Sequence, residues 1–426
     1  EEYEVLLSST AGYSDVEMKE YVNKQLQDVI KAAYTKVPFY QQQAIAEGID
    51  HLSVKSEEDL SQLPITKKEA IRKSPVSFTI HSTDNRNFTE LNTSGTSGTP
   101  LTIYCDDDSR TKHYAFFTRL RSWFGVARLG KRATFFGRII CDADTQKPPY
   151  WRSDFFQNNL LFSSYHLKEE NLRHYYQKLK QYKPEEIFSY PSSIYQIAKY
   201  INNNKLEPIK LKLVMTTAET LLAHQREAIE KAFDAPLVDQ YGCTEMALFV
   251  SECEYGTKHI HPEHGIVEVL DENDNPVSSG VVGRAVCTGF VNRSMPLIRY
   301  DMGDLLSINA DAKCQCDRAF PILGEVQGRV DDELVTPDGR PLGRMDPIFK
   351  GFKGIQETQI VQTAKNKLIF KLVADEQFTS DIEEQLLIEI KKRTGSEMDV
   401  LIERLPSIEK DKNGKFRAVI SELALK

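Results

Sequence analysis

The hydrophobic positions in the first part of the chain predict helices. Apolar residues recur at positions 22, 26, 29, 30 and 33, which fall on one face of a helix, and the pattern stops before Val37-Pro38. Ser56 is followed by three acidic residues and then Leu60, which indicates a short capped helix. The chain is therefore expected to open with a helical segment.

Helical and strand-like patterns alternate from residue 87 to residue 312. Residues 169–183 and 192–202 have helical periodicity, whereas 211–216 and 236–238 are short apolar runs typical of buried strands. This alternation predicts an α/β body.

Three further strand-like runs predict an antiparallel β subdomain, because turn residues separate them. They are residues 266–269, 285–288 and 305–308.

The composition changes near Gly328–Asp332, and the turn-rich stretch 336–341 follows. We therefore predict an N-terminal body over residues 1–330 and a second domain over residues 331–426. The second domain is expected to contain a helix at 345–352, strands at 357–362 and 367–373, a helix at 380–394 and a strand at 398–403. That order is typical of a small ferredoxin-like α+β domain.

Composition and charge narrow the class of protein. Of the 426 residues, 40% are hydrophobic and 27% are charged, which is ordinary for a soluble globular protein. The net charge of -8 argues against a general surface for nucleic acid or anionic membrane. No apolar run is long enough to span a bilayer, and no signal-peptide pattern opens the chain. The seven cysteines are mostly isolated, which favours a reducing compartment and a cytoplasmic location.

A loop rich in glycine and hydroxyl residues lies between two strand-like runs. This loop, Thr93–Pro100, offers close backbone approach at two glycines and several hydroxyl donors, which suits a polyphosphate. It lacks the Gly-Lys-Ser/Thr of a Walker A loop. Composition alone is also compatible with a flexible hairpin linker.

The phosphate-binding loop resembles that of the adenylate-forming enzymes, which include acyl- and aryl-CoA ligases and peptide-synthetase adenylation domains. Four further motifs of that superfamily follow in its order: Tyr241-Gly242-Cys243-Thr244-Glu245, Arg299-Tyr300-Asp301-Met302-Gly303-Asp304, Gly328-Arg329-Val330-Asp331-Asp332 and Asn413-Gly414-Lys415-Phe416-Arg417. The resemblance implies a large composite α/β body with an antiparallel β subdomain, followed by a small mobile α+β domain that rotates about Asp331.

Three other segments resemble the branch of phenylacetate–CoA ligases, capsular polysaccharide proteins and coenzyme F390 synthetases. They are residues 36–40, 63–68 and 295–300. Two features depart from the CoA ligases. Thr99 stands where many relatives carry a basic residue, and the stretch 334–343 is not the usual glycine-rich loop.

The resemblance implies a two-step reaction. A small, aromatic carboxylate attacks the α-phosphate of Mg²⁺-ATP, and a thiol, here expected to be that of CoA, then displaces AMP. Glu245 would bind Mg²⁺, Thr244 would donate to the α-phosphate, and Lys415 would stabilise charge that develops in the transition state. Asp304 would accept hydrogen bonds from the ribose.

The nucleotide-binding residues implied by the resemblance form a larger set. They are Thr93, Ser94, Gly95, Thr96, Ser97, Gly98, Ala218, Glu219, Thr220, Asp239, Gln240, Tyr241, Gly242, Asp304 and Arg329. Residues 135–138 and 189–192 would line the acyl pocket, although core packing explains the same aromatic residues.

Cys314 and Cys316 lie too close in sequence to form a relaxed disulfide with each other, but they can share a metal ion. With Cys253 and His259 they make a Cys₃His set of structural zinc type. His261 or His264 is the alternative fourth ligand, and unlinked thiols are the alternative to a metal site.

Other functions fit the same motifs. One is an adenylyltransferase of the coenzyme F390 synthetase type, which transfers AMP to a hydroxyl. Another is acyl transfer to an amine, a hydroxyl or a carrier protein. A non-catalytic nucleotide-binding protein is the third hypothesis, but such a protein would need neither Glu245 nor Lys415.

Overall fold

The computed structural model describes residues 2–80, 88–92, 101–142, 144–327, 334–340, 342, 345–349, 352–408 and 418–423. The helices of this part are α1 Glu2–Thr10, α2 Asp15–Lys36, α3 Pro38–Glu47, α4 Lys68–Lys73, α5 Asp107–Trp123, α6 Glu169–Tyr182, α7 Pro191–Asn203, α8 Ala223–Phe233 and α9 Ser380–Thr394. None of them is both long enough and apolar enough to cross a bilayer.

The strands are numbered in the same way along the chain. They are β1 Thr89–Asn92, β2 Thr102–Cys105, β3 Arg132–Phe136, β4 Trp151–Asp154, β5 Asn159–Ser163, β6 Glu186–Ser189, β7 Leu213–Thr217, β8 Leu237–Gly242, β9 Phe249–Glu252, β10 Lys258–Ile260, β11 Gly265–Leu270, β12 Gly283–Gly289, β13 Tyr300–Ile308, β14 Leu323–Gln327, β15 Ile355–Ala364, β16 Lys367–Ala374, β17 Asp399–Arg404 and β18 Val419–Ser421.

Residues 1–91, 101–125 and 240–328 form the first compact unit. Its centre is the antiparallel sheet β11-β12-β13-β14, which confirms the predicted antiparallel subdomain. Helix α2 spans the predicted apolar stripe. A capping box at Ser14 satisfies its free N–H groups, and its buried face joins the core of the unit. The short helix predicted after Ser56 is a 3₁₀ turn, Glu57–Gln62.

Residues 92–100, 126–239 and 329–426 form the second unit. The parallel strands β7, β6, β3 and β5 lie side by side here, with antiparallel β4 at the edge and the start of β8 beside β7. Helices α6, α7 and α8 contribute buried faces to the core of this sheet. Because parallel strands share a direction, the loops that follow β3, β5, β6 and β7 meet at one edge of the sheet.

The remainder of the second unit is a four-stranded sheet in the order β17-β16-β15-β18. Strands β15 and β16 pair antiparallel, while β17 and β18 join them as parallel neighbours. Helix α9 buries Leu386 and Ile390 in the same core. The predicted α+β arrangement is thus confirmed, whereas the predicted boundary at residue 330 lies outside the described residues and stays a prediction.

One predicted element of this region is wrong. Residues 345–352 were expected to form a helix, but the described part is a single 3₁₀ turn, Asp346–Phe349. Met345, Ile348 and Phe349 are all buried in the core, so one turn already places the apolar positions inside.

The aromatic core of the second unit yields a stability prediction. Phe162 is 1% exposed and stacks on Phe135 with ring centroids 4.6 Å apart. We expect Phe162→Ala to lower the free energy of unfolding by about 3–5 kcal/mol, because it removes buried area and leaves a cavity. The free energy of unfolding is measured by urea unfolding followed by circular dichroism.

Phe156 provides the matched control, since it lies on the same hairpin but is 97% exposed. Phe156→Ala should change the unfolding free energy by no more than about 0.5 kcal/mol. Equal effects of the two substitutions would contradict the assignment of Phe162 to the core.

Candidate active site

Two hydrogen bonds tie the segment Tyr241–Glu245 to strand β13. The Tyr241 hydroxyl donates to Asp304 Oδ2 at 2.7 Å, and the Tyr300 hydroxyl donates to Glu245 Oε1 at 2.7 Å. Tyr300 and Asp304 lie on one strand, on either side of an irregularity where the register to β12 shifts and Gly303 adopts φ +74°. Two motifs that are distant in sequence are thus joined in the first unit through one strand.

Burial strengthens the preference of both phenols for the protonated form, which any tyrosine holds at neutral pH. It is the largest cause that raises the pKa of Tyr241 above its usual range, and the neighbouring Asp304 carboxylate adds to it. The pKa of Tyr300 is raised in the same way by burial and then by Glu245. Both hydroxyls therefore stay protonated at neutral pH and act as donors.

Each of the two carboxylates keeps one oxygen without a hydrogen-bond partner among the described residues. Glu245 is 8% exposed and is contacted at Oε1 by Tyr300, while Asp304 is contacted at Oδ2 by Tyr241. The other oxygens, Glu245 Oε2 and Asp304 Oδ1, are free to accept a metal ion or a hydroxyl. These positions fit the predicted magnesium and ribose contacts.

A buried arginine that the sequence interpretation did not single out positions the start of β13. Arg299 is 4% exposed and binds both oxygens of Glu268, at 3.1 and 2.9 Å, and the carbonyl of Leu63 at 2.6 Å. The backbone of Thr66 pairs with residues Arg299 and Asp301 on either side of Tyr300. The branch motifs 63–68 and 295–300 are therefore in contact, and together they hold Tyr300.

In the second unit, predicted site residues lie at the ends of parallel strands. Asp239 on β8 accepts a hydrogen bond from the Thr216 hydroxyl at 3.1 Å. Glu219 follows β7 and accepts from Ser192 N–H at 3.0 Å and from its hydroxyl at 3.1 Å. Ser192 lies in the first turn of α7, so Glu219 satisfies an N–H group that the helix leaves free. Ala218, just before it, adopts a left-handed backbone with φ +69°.

The remaining nucleotide residues divide into two groups. Thr220, Gln240, Gly242 and Thr244 are described; Gln240 and Gly242 lie on β8, and Thr244 lies in the turn after it. Thr93–Gly98, Arg329, Asp331 and Lys415 lie outside the described residues. Their roles stay predictions.

The four predicted zinc ligands come together in the first unit. The ligand atoms of Cys253, His259, Cys314 and Cys316 all lie within 4.8 Å of one another. Cys253 Sγ is 3.5 Å from Cys314 Sγ, and Cys316 Sγ is 3.4 Å from His259 Nε2. Zinc–sulfur bonds of about 2.3 Å in a tetrahedron place two sulfurs about 3.8 Å apart, close to what is seen. The donor set therefore fits a structural zinc ion.

The surroundings of the cluster also fit a metal. His259 Nδ1 lies 3.1 Å from the carbonyl of Phe320, so Nδ1 carries the proton and Nε2 faces the thiols with its lone pair. Burial acts to raise the pKa of Cys314, but hydrogen bonds from Thr257, Cys316 and His259 outweigh it and lower the pKa to about 6. The thiolate of Cys314, the form that binds zinc, is thereby favoured, whereas burial is the largest cause that raises the pKa of Cys253, to about 11, and that of Cys316.

The alternative ligands His261 and His264 belong to a different cluster. His261 Nε2 lies 2.8 Å from the Ser251 hydroxyl, and its Nδ1 lies 2.6 Å from Arg119. His264 Nε2 lies 3.1 Å from His113 Nδ1. This buried cluster, which also contains the Arg119–Glu263 ion pair, has no periodic signature in the sequence, since its members come from α5 and from the segment after β10.

Comparisons with known proteins define the class. A profile of the CapK C-terminal domain family matches residues 334–422. The crystal structure of 2-hydroxyisobutyryl-CoA ligase in complex with 2-HIB-AMP and CoA superimposes with a TM-score of 0.62 at 20% identity, covering 97% of this chain and 91% of that chain. The fold is that of an adenylate-forming ligase.

The sequence relatives define the branch. Protein CapK of Staphylococcus aureus is 27% identical over 374 residues, 86% of this chain and 81% of CapK. A phenylacetate–coenzyme A ligase of Thermus thermophilus is 25% identical over 324 residues, 73% of this chain and 70% of the ligase. These similarities support the adenylate-forming superfamily and, within it, the branch of CapK and the phenylacetate–CoA ligases, which confirms the resemblance drawn from the motifs.

The cysteine cluster predicts a measurable metal content. We expect protein purified without added metal to hold about one zinc per chain, measured by elemental mass spectrometry. The variant Cys316→Ser should lose the zinc. It should also melt at a lower temperature, because a structural zinc ion contributes directly to folding. Cys141→Ser is the control, since Cys141 lies outside the cluster. A wild-type zinc content far below one per chain would refute the site.

The buried histidines predict loss of stability in acid. Burial lowers the pKa of His113 from 6.5 to about 4, so the folded state disfavours its protonation. The contribution of His113 to the free energy of unfolding is fully present above about pH 6.5. It is lost as the pH falls towards 4, and the loss is about 3 kcal/mol in total. His113→Gln should flatten the dependence of the melting temperature on pH between 7 and 5.

His174 on α6 serves as the comparison for His113, because it lies outside the buried cluster. His174→Gln should leave the slope of melting temperature against pH unchanged. If both variants kept the wild-type slope, burial of His113 would not be the cause of the pH dependence of the melting temperature.

Proposed function

We propose that the protein is an ATP-dependent, AMP-forming ligase that activates a small aromatic carboxylate and transfers the acyl group to the thiol of CoA. The observation that carries the proposal is the pair of hydrogen bonds Tyr241–Asp304 and Tyr300–Glu245. They join the two motifs of the first unit and leave one oxygen of each carboxylate for the substrate. Membership of the superfamily supports it.

In the first step an oxygen of the carboxylate forms a bond to the α-phosphorus of ATP, and the bond to the leaving pyrophosphate breaks. Glu245 would hold Mg²⁺ through Oε2, because Tyr300 occupies Oε1. The ion, when bound, neutralises phosphate charge. Thr244, the neighbour of Glu245, would donate its hydroxyl to the α-phosphate, and Lys415 would stabilise the charge that moves onto the phosphate oxygens.

Tyr241 and Asp304 would hold the nucleoside. The Tyr241 hydroxyl is engaged by Asp304, which restricts the phenol ring to the orientation that would stack on adenine. Asp304 Oδ1 would then accept from the ribose hydroxyls. Predicted contacts of Ala218, Glu219, Thr220, Asp239, Gln240, Gly242 and Arg329 would complete the nucleotide site.

An aromatic cluster in the second unit supports an aromatic acyl group. Phe136, at the end of β3, contacts Phe188 and Tyr190 edge to face, with centroids 4.8 and 5.0 Å away. These residues fall within or beside the predicted pocket segments 135–138 and 189–192. Such edge-to-face contacts are also the arrangement in which an aromatic ligand is held.

The relatives support CoA as the acceptor. Two relatives in the branch bear the name phenylacetate–coenzyme A ligase, and the 2-hydroxyisobutyryl-CoA ligase structure contains CoA. In the second step the thiol sulfur would attack the acyl carbon, and the bond to AMP would break. The cysteine cluster would hold a structural zinc ion away from this chemistry, since all four ligands are protein side chains.

Pyrophosphate exchange tests the first step. Incubation with ATP, labelled pyrophosphate and a panel of aryl and arylacetic acids should show exchange with at least one acid. Lys415→Ala should reduce the exchange rate by about 100-fold or more, because it removes transition-state charge stabilisation. Tyr300→Phe should reduce it by about tenfold, because Glu245 loses its buried donor.

Lys178→Ala on α6 is the control and should exchange at the wild-type rate. Tight ATP binding without exchange for any acid would contradict the proposal. Mass spectrometry of the product separates acyl transfer from adenylyl transfer, since the latter product retains an AMP unit.

A further inference from the structure

Arg340 is a buried cation whose guanidinium has unpaired N–H groups. Only 5% of the residue is exposed, and its Nε and Nη1 have no hydrogen-bond partner in the part of the chain that the structure describes. Arginine stays charged at any ordinary pH, so the cation cannot escape by losing a proton. Burial lowers its pKa without bringing it near neutrality.

The backbone around Arg340 is firmly held. Thr336 N–H donates to the Arg340 carbonyl at 2.8 Å, and Arg340 N–H donates to the Thr336 hydroxyl at 3.0 Å. Gln362 on β15 binds both the N–H and the carbonyl of Val335, at 2.9 and 2.6 Å. Gly339 completes the turn with φ +81°, which favours glycine. The turn 335–340 therefore positions the arginine.

The nearest acid does not pair with Arg340. Both oxygens of Asp338 are engaged, one by the Thr336 hydroxyl and the other by Lys168 Nζ at 2.9 Å. Asp338 acts on Arg340 through its charge. The local balance is thus two cations, Arg340 and Lys168, against one carboxylate.

A buried charge without a partner is strongly unfavourable, and proteins keep such groups where a ligand completes the pairing. An oxyanion fits these N–H groups, because a guanidinium forms strong charge-assisted hydrogen bonds to the oxygens of a carboxylate or phosphate. A metal ion or a cationic ligand is excluded by the sign of the charge.

The location connects this arginine with the edge of the parallel sheet. Tyr165, within electrostatic range of Arg340, donates its hydroxyl to the Gly137 carbonyl at 3.1 Å, and Ser164 donates to the Phe136 carbonyl at 3.1 Å. Phe136 and Gly137 belong to the segment predicted to line the acyl pocket. Arg340 thus lies beside the proposed substrate region, within the second unit.

We propose that Arg340, with Lys168 beside it, binds an anionic oxygen group of a substrate other than the nucleotide. The group is a phosphate of the acceptor or a second carboxylate of the acyl substrate, which present the same chemistry to a guanidinium. This inference rests on the proposed function and extends it by a specificity-determining residue.

Inorganic phosphate is the first probe. With AMP at saturation, phosphate should raise the melting temperature of the full chain, and Arg340→Gln should abolish that rise. Without phosphate, Arg340→Gln should melt at the wild-type temperature or above it, because no hydrogen bond of the guanidinium Nε or Nη1 is lost. Arg340→Lys keeps the charge and should retain part of the response.

Arg404→Gln is the matched control, since Arg404 is a partly exposed arginine of the same unit that pairs with Glu383. It should keep the full phosphate response. An unchanged response in Arg340→Gln, together with unchanged kinetics in the assays below, would overturn the proposal.

Steady-state kinetics separate the two sources of the anion. If the acceptor supplies it, Arg340→Gln should raise KM for CoA by roughly 10- to 100-fold but leave KM for pantetheine, which lacks the phosphates, unchanged. If the acyl substrate supplies it, KM should rise by the same factor for a dicarboxylic acid and not for its monocarboxylic analogue. A phosphate response that depends on Arg340 in a protein without pyrophosphate exchange would leave the anion site standing and refute the proposed ligase activity.

Discussion

The hydrogen bond from the Tyr300 hydroxyl to Glu245 is the contact on which the candidate site residues of the first unit depend. Tyr300 is fully buried and begins β13, so the carboxylate it holds cannot shift without disturbing the central sheet. Arg299, bound to Glu268 and to the Leu63 carbonyl, keeps the start of that strand in place. Four residues later Asp304 repeats the arrangement with Tyr241. Strand β13 therefore holds one carboxylate, that of Glu245, through Tyr300 and carries the other, that of Asp304.

The second unit follows a different physical rule. Its parallel strands bring the segments after β3, β5, β6 and β7 to one edge, where short loops carry polar and aromatic groups. Most polar groups at this edge satisfy one another, as Glu219 and Ser192 do. Arg340 is the contrasting case, because its Nε and Nη1 are buried and have no hydrogen-bond partner among the described residues. That difference separates residues whose contacts maintain the fold from the one that we propose to bind a ligand.

The cysteine cluster joins two segments that are distant in sequence. Cys253 precedes β10, His259 lies on it, and Cys314 and Cys316 lie in the turn region before β14. Arg318 packs over Trp123 at 3.9 Å and pairs with Glu254, so the region is also held by a cation–π contact and an ion pair. A bound metal would join segments about sixty residues apart in sequence, where backbone pairing alone is short.

The sequence by itself determined the superfamily, the branch, the α/β body with its antiparallel sheet, and the candidate ligands, because ordered motifs and hydrophobic periodicity are local properties of the chain. It mispredicted the helix at 345–352, since periodicity does not reveal how few turns the core requires. Only the tertiary structure shows that His259, and not His261 or His264, lies with the three cysteines, and that Tyr300 donates to Glu245. It also shows that Arg340 is buried and that its Nε and Nη1 have no hydrogen-bond partner among the described residues. These facts depend on which distant segments meet, and burial and hydrogen-bond partners exist only once the chain has folded.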